Sequence, residues 1–492
     1  MKKFFPWMGL FGFLVFGVFF YRTQFSGQHA VNTKRLPSNV ESSLQSEAAT
    51  QMNNLIFSVK TKDQVDPALS KIIALAIQDP DNSVAQLYAG VAKVIMPLKG
   101  ILWRLRFIIE PMDVVYVNVI NQLRMFKRNK ERRGEHVDAL FDYIADPNPE
   151  ETILGHKGLF TSFAQFQDWV VNQISPIVQA NAIMIQNIAD SADADKAIFM
   201  YDSGLLLGEN VATAMTSQTN RYRKVMPAHL YLALADVYTR LGMTHYLASY
   251  NFEGLVDFVS KMTKKTFVSK KFGMGNSFIT RIFATKVLGP KDFADILNDS
   301  DFKSFLTLRN NASKTLPMAY QYLKLGVKNR LIGFQAMEHL ADLPNQGDYA
   351  INARLFTSRP GVTEAILKKR LALMGGDSEL QIAGTKIFTD RVAGVTFDVD
   401  ISQIFNPSNK SMRDLKGLFA NRFSNVAEKV GKNKETWKWN YDYGAATSWE
   451  DPTFGGVLPN TNSGEDYLKN RLVPLSRDAS TRLLQTWLRM FM

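Results

Sequence analysis

From about residue 51 to about 345, apolar residues recur at spacings of three and four, with Pro and Gly breaks between the runs. That period is the signature of amphipathic helices. It predicts helices over 67–78 (PALSKIIALAIQ), 82–95 (NSVAQLYAGVAKVI), 137–145 (VDALFDYIA), 167–189 (QDWVVNQISPIVQANAIMIQNIA) and 196–215 (KAIFMYDSGLLLGENVATAM). Short turns rich in Asp, Asn and Pro separate them, as in DPDNS at 79–83 and DPNPEE at 146–151. The rhythm is that of antiparallel helix pairs.

The pattern changes near residue 346, where Gly, Asn, Asp, Ser and Pro become frequent. Residues 386–405 carry alternating β-branched and aromatic positions around Ala393-Gly394, which predicts a hairpin. A helix is expected over 411–430, and RDASTRLLQTWLRMFM at 477–492 reads as a final amphipathic helix. The chain thus divides into an N-terminal segment (1–21), a polar linker rich in Ser, Gln, Asn and Thr (22–50), a helical body (51–345) and a C-terminal mixed domain or cap (346–492).

Within the body, LADVYTRLGM (234–243) and AYQYLKLGVK (319–328) share Tyr-x-x-Leu-Gly, and IALAIQDPDNSVAQLYAG (73–90) has the form of a junction between two helical units. These stretches resemble tetratricopeptide repeats and similar helix-turn-helix arrays. The resemblance covers about a fifth of the chain, and its two clearest stretches lie 84 residues apart, not a multiple of the 34-residue repeat. It implies an irregular array. The fold class expected is mostly α: an irregular helix-turn-helix array, a smaller mixed α/β C-terminal region and one N-terminal transmembrane helix.

Phe4 to Phe20 is an uncharged apolar run of 17 residues behind Lys2 and Lys3, closed by Tyr21 and Arg22. With its flanks, at about 1.5 Å per residue, it just crosses a hydrocarbon core of roughly 30 Å. A cleaved signal peptide is the competing reading. The best cleavage position, after Ala30 with Gln28 two residues before, is a poor match to A-x-A, so an uncleaved anchor is favoured. The expected address is a bacterial inner membrane, crossed once, with the body in the periplasm. The absence of cysteine excludes disulfides, thiolate metal sites and a cysteine nucleophile, and suits an oxidising compartment.

The net charge of +12 favours anionic surroundings. Arg124, Lys127, Arg128, Lys130, Arg132 and Arg133 crowd one predicted helix end, Arg104 and Arg106 lie upstream, and Lys261, Lys264, Lys265, Lys270 and Lys271 form a second cluster. Such groups dock on anionic lipid headgroups, or simply form a solvated helix end. Nucleic acid is not the expected partner. In TWKWNYDYG (436–444), Trp437, Trp439, Tyr441 and Tyr443 alternate with polar residues. In a strand the four rings would share one face, able to stack on sugar or to seal against the body.

Enzymatic signatures do not assemble. None of the six histidines forms HExxH. Ser300-Asp301-Phe302-Lys303 matches Ser-x-x-Lys without a later Lys-Thr-Gly, and Gly273-Met274-Gly275 lacks the third glycine of a dinucleotide loop. No cofactor, metal site or catalytic residue is expected. The expected role is a membrane-tethered, non-enzymatic scaffold of the cell envelope that binds protein partners through its helical surface. The alternative is a periplasmic protein that binds or hydrolyses cell-wall glycan (peptidoglycan).

Overall fold

The computed structural model describes residues 47–106, 134–148, 150–202, 205, 222–258, 261, 299–344, 349–358, 363–373, 386–389, 396–418, 425–428, 438–441, 453 and 455–457. The apolar segment 4–20, the basic run 124–133, Lys264 to Lys271, Trp437, Tyr443 and the segment 477–492 lie outside these residues. Among the described residues no helix is long and apolar enough to cross a membrane.

The described chain is mostly helical. The helices are α1 (Glu47–Phe57), α2 (Val65–Gln78), α3 (Ser83–Ile95), α4 (Ile101–Arg104), α5 (Glu135–Ile144), α6 (Phe163–Trp169), α7 (Ser175–Ser191), α8 (Pro227–Ala248), α9 (Ala312–Ala341), α10 (Ala353–Thr357) and α11 (Glu364–Leu373). Four two-stranded antiparallel ribbons accompany them: β1 (Thr152–Ile153) with β2 (His156–Lys157), β3 (Phe199–Asp202) with β4 (Tyr222–Val225), β5 (Lys386–Thr389) with β6 (Thr396–Val399), and β7 (Asn425–Glu428) with β8 (Lys438–Tyr441).

Local chemistry places the helix starts. Asn82 accepts from the Ala85 amide at 3.1 Å, and Ser162 accepts from Gln165 at 3.1 Å, each satisfying an amide the first helical turn leaves open. The expected helix at 167–189 is real but interrupted. A π turn over Val170–Ile174 joins α6 to α7. Pro176 follows after one residue, Ser175. A proline there lacks an amide donor and crowds the carbonyl four residues back, and one wider turn absorbs both defects.

The first helices close on one another, and the later ones form a series that starts from α3. α1, α2, α3 and α5 surround one core, which includes Met52, Leu69, Ile72, Leu105, Tyr143, Phe160 and Trp169. Beyond it α3 packs on α7, α7 on α8, α8 on α9, and α9 on both α10 and α11.

The pair α8–α9 is the spine of this sequence. Gly242 faces Leu323 and Ala319, Gly326 faces Thr239 and Ala235, and Gly333 faces Leu232, so the two helices run antiparallel. A Cβ at Gly242 would lie 2.5 Å from Leu323 Cγ, and one at Gly326 would lie 3.0 Å from the Thr239 amide nitrogen. The backbones approach as closely as glycine permits. The two Tyr-x-x-Leu-Gly stretches therefore meet each other across a single seam, with Tyr238 and Tyr322 stacked at 6.3 Å.

Two expected helices differ. Residues 199–202 lie within the helix expected over 196–215 but form β3, with Phe199 opposite Val225 and Asp202 opposite Tyr222. Burial alternates along it, Met200 and Asp202 inward, so the period is two, and the ladder to β4 supplies the hydrogen bonds. The helix expected over 411–430 is replaced by 3-10 turns at Lys410–Met412 and Leu415–Leu418, followed by β7. Asn409 accepts from the Ser411 amide and Asp414 from the Lys416 amide, and such local bonds compete with helix propagation. The Leu415 amide goes instead to the Leu306 carbonyl at 3.1 Å.

The expected hairpin at 386–405 is present as β5–β6, with Phe388 opposite Phe397. Residues 400–418 then lie on the helical body. The Tyr250 hydroxyl donates to the Met412 carbonyl at 3.1 Å, and the Phe405 ring meets Tyr246 and Tyr320.

Candidate interaction surface

Small residues decide where this body leaves a usable surface. Gly90 on α3 lies under Met184 of α7, whose Cε would come within 2.8 Å of a Cβ there. Asn181 donates from Nδ2 to the Gly90 carbonyl at 2.8 Å and fixes the crossing. Beside it opens a groove of about 310 Å³, lined by Gln86, Lys93, Ile177, Ala180, Asn181 and Met184. Gln86 is itself tied down, donating to the Ala76 carbonyl at 2.7 Å at the end of α2.

Two large apolar side chains stand exposed in this region, one beside a lining residue and one beside the Ala76 carbonyl that holds Gln86. Ile183 is 50% exposed beside Met184, and Ile77 is 71% exposed beside Ala76. Lys93 is exposed at the groove. The combination is a small apolar depression with a cationic edge, suited to an apolar side chain flanked by a carboxylate.

The polar interior elsewhere is structural. Arg104 is 2% exposed, and its guanidinium donates to the carbonyls of Glu151 (2.7 Å), His156 (3.2 Å) and Gly158 (3.0 Å). Burial holds its pKa below the ordinary arginine value. Arg104 therefore staples the β1–β2 ribbon to the first core and is not offered to a membrane surface. His156 stacks on Phe160 at 3.9 Å beside it. Nearby, the Tyr143 hydroxyl lies 2.5 Å from an Asp66 oxygen, and Lys99 reaches Asp66 at 2.7 Å and Glu151 at 3.0 Å. Burial opposes the Lys99 charge, but the two carboxylates outweigh it and raise its pKa. Burial, then the bond to Asp66, pushes the Tyr143 phenol well up, so it stays a neutral donor.

The remaining sequence candidates distribute as follows. Arg124, Lys127, Arg128, Lys130, Arg132 and Arg133 are outside the described residues, as are Trp437 and Tyr443. Trp439 and Tyr441 lie in β8, paired with Ala427 and Asn425. Lys261 is engaged with Asp299 at 2.9 Å and Asp301 at 2.6 Å. The Ser-x-x-Lys stretch is a 3-10 turn in which Ser300 bonds to Asp299 at 3.4 Å. Among the described residues no three His, Asp or Glu side chains converge as a metal site would require.

Sequence reasoning passed over the α3–α7 groove. Its signal was present in Tyr-Ala-Gly at 88–90 and in the run Ala180-Asn-Ala-Ile-Met184, small residues at helical spacing on two segments, but nothing in one sequence pairs them. No protein-family model, curated protein or solved structure matches the chain.

Proposed function

We propose that this chain is a membrane-tethered, non-enzymatic scaffold of the cell envelope that holds protein partners on its helical surface. The apolar segment 4–20 anchors it in the inner membrane, the linker 22–50 spaces the body into the periplasm, and the basic run 124–133 lies against anionic headgroups. The body is an irregular helical array with a mixed C-terminal cap. The observation that carries the reading is the packing series α3–α7–α8–α9, which skips α4, α5 and α6 but in which each member rests on the next, as in irregular arrays whose long side faces bind partners. The α3–α7 groove is the partner contact, and its Lys93 edge calls for a partner helix with apolar and acidic residues.

The test is affinity isolation of the full chain from its native membranes, comparing wild type with Ala180→Glu. A single envelope protein recovered at fixed stoichiometry with wild type and lost with the variant supports the scaffold. An unchanged set of companions removes the groove from the account.

A second reading has one specific observation behind it. Trp439 and Tyr441 stand two apart in β8, which pairs with β7. Sedimentation with purified peptidoglycan, abolished by Trp437→Ala with Trp439→Ala, would favour glycan binding. No sedimentation would end it. Liposome binding lost when Arg128, Lys130, Arg132 and Arg133 become Ala would support the membrane contact, and unchanged binding would end that part.

A further inference from the structure

The helix at the centre of the fold carries a buried histidine near each end, and neither is placed to accept a proton. His229 lies in the first turn of α8 and is 6% exposed. Its Nδ1 accepts the Met226 amide at 3.0 Å, which satisfies an otherwise open donor at the helix start. A proton on Nδ1 would set N–H against N–H and break this cap. His245 lies in the last turn and is 1% exposed, and among the described residues neither of its ring nitrogens has a hydrogen-bond partner. Its ring sits 5.2 Å from the Tyr322 ring of α9.

We propose that α8 is an acid-operated latch: protonation of His229 and His245 breaks the cap at one end and charges the sealed seam at the other, so that α8 parts from α9. The charged groups around the two sites favour this. At His245 the one charge that acts, among the described residues, is Lys314 of α9, which repels a second cation. The hydroxyls at this end of the seam are already used: Ser249 donates to the His245 carbonyl at 2.8 Å and lies 2.6 Å from Thr315 Oγ1 of α9. At His229 burial dominates, opposed by the Ile351 backbone, and among the described residues no charged side chain adds to it. Burial pushes both imidazoles down to about 4, with Lys314 adding to the effect at His245.

The linkage has a definite sign. Above the unfolded pKa of about 6.5 both states are neutral and the histidines contribute nothing to pH dependence. As pH falls from about 6.5 towards 4, the opened chain binds protons that the closed seam cannot, and closure weakens. At pH 4.5 the closed state is disfavoured about 50-fold or more per histidine, given folded values near 4. Opening uncovers the apolar seam around Leu234 and Leu241, which are buried at neutral pH. In the compartment proposed above, which equilibrates with the medium, the latch would read external acidity.

The test is hydrogen exchange by mass spectrometry on the full chain at pH 7 and pH 4.5, with amide rates corrected for intrinsic pH dependence. In wild type, protection of peptides from 230–247 and 316–333 is expected to fall about 50-fold or more at the lower pH. His229→Gln keeps an acceptor for the Met226 amide without a titratable nitrogen, and His245→Phe keeps a ring without one. Each is expected to remove a large part of the fall. Equal protection at both pH values, or a fall of the same size in the double variant, would overturn the latch. Should the variants fail to fold, the wild-type imidazoles titrated by NMR decide: protonation near pH 4 supports it, and protonation near 6.5 for His245 overturns it.

Discussion

The first core and the α8–α9 seam are both helix-on-helix packing, yet they are closed in different ways. The first core is large, apolar and bolted by charge. Arg104 spans three carbonyls, and Lys99 joins Asp66 to Glu151 beside Tyr143. The seam is closed by backbone approach at Gly242, Gly326 and Gly333, and among the described residues both ring nitrogens of His245 and Asn329 Oδ1 are buried there without a hydrogen-bond partner. The bolted region depends on specific donors. The seam depends on the absence of side chains and on neutrality.

The largest expected effect breaks the bolted region. Arg104→Ala leaves one buried and two half-buried carbonyls without their donor and a cavity under β1–β2, and should cost about 3–4 kcal/mol in denaturant unfolding. A loss under about 1 kcal/mol would show that water replaces the guanidinium. The matching break in the seam is Gly326→Val. Its Cβ would meet the Thr239 side chain and backbone and the Ala235 carbonyl, so the helices must separate at a cost of about 3 kcal/mol. The same change at Gly155, where a Cβ meets no described residue within 4 Å, costs only its left-handed backbone, about 2 kcal/mol for a β-branched side chain.

Smaller changes sharpen the contrast. Tyr143→Phe removes one donor to Asp66 while Lys99 remains, and should cost about 1 kcal/mol. His245→Phe at pH 7 removes a buried group with no partners and should be neutral or slightly stabilising, within about 1 kcal/mol. Below pH 6 it should gain on wild type, because the folded imidazole resists the proton that the unfolded one accepts. Thermal unfolding from pH 7 to pH 4.5 reads both.

Much of the helical body was legible because its apolar positions carry a clear period. The segments 67–78, 82–95, 137–145 and 167–189 are helical as the spacing required, the last with a π turn that only the proline at 176 hints at. The strand at 199–202 was not legible, since Phe-Met-Tyr-Asp is too short for its alternation to stand out from a helical neighbourhood. The helix expected over 411–430 failed for a local reason: Asn409 and Asp414 bind amides two residues on and end each turn as it starts. At the seam the sequence showed two like stretches, and a repeat was the natural reading. What one sequence does not contain is that Gly242 and Gly326 lie on facing helices, each making room for the other's partner. His245 was hidden in the same way, a single imidazole in an apolar stretch whose missing partners become evident only when α9 is in place. The groove likewise joins Gln86 to Met184, 98 residues apart by their numbers, across a contact no local pattern announces.

The partner contact in the scaffold account stands on the α3–α7 groove. The decisive measurement is site-specific photo-crosslinking in the native cells from Gln86, which lines it, in wild type and in a Lys93→Glu background. The account predicts one adduct of defined mass whose yield falls at least about tenfold when the cationic edge is reversed, a penalty of about 1.4 kcal/mol. No adduct from Gln86, or an adduct indifferent to Lys93→Glu, would contradict it.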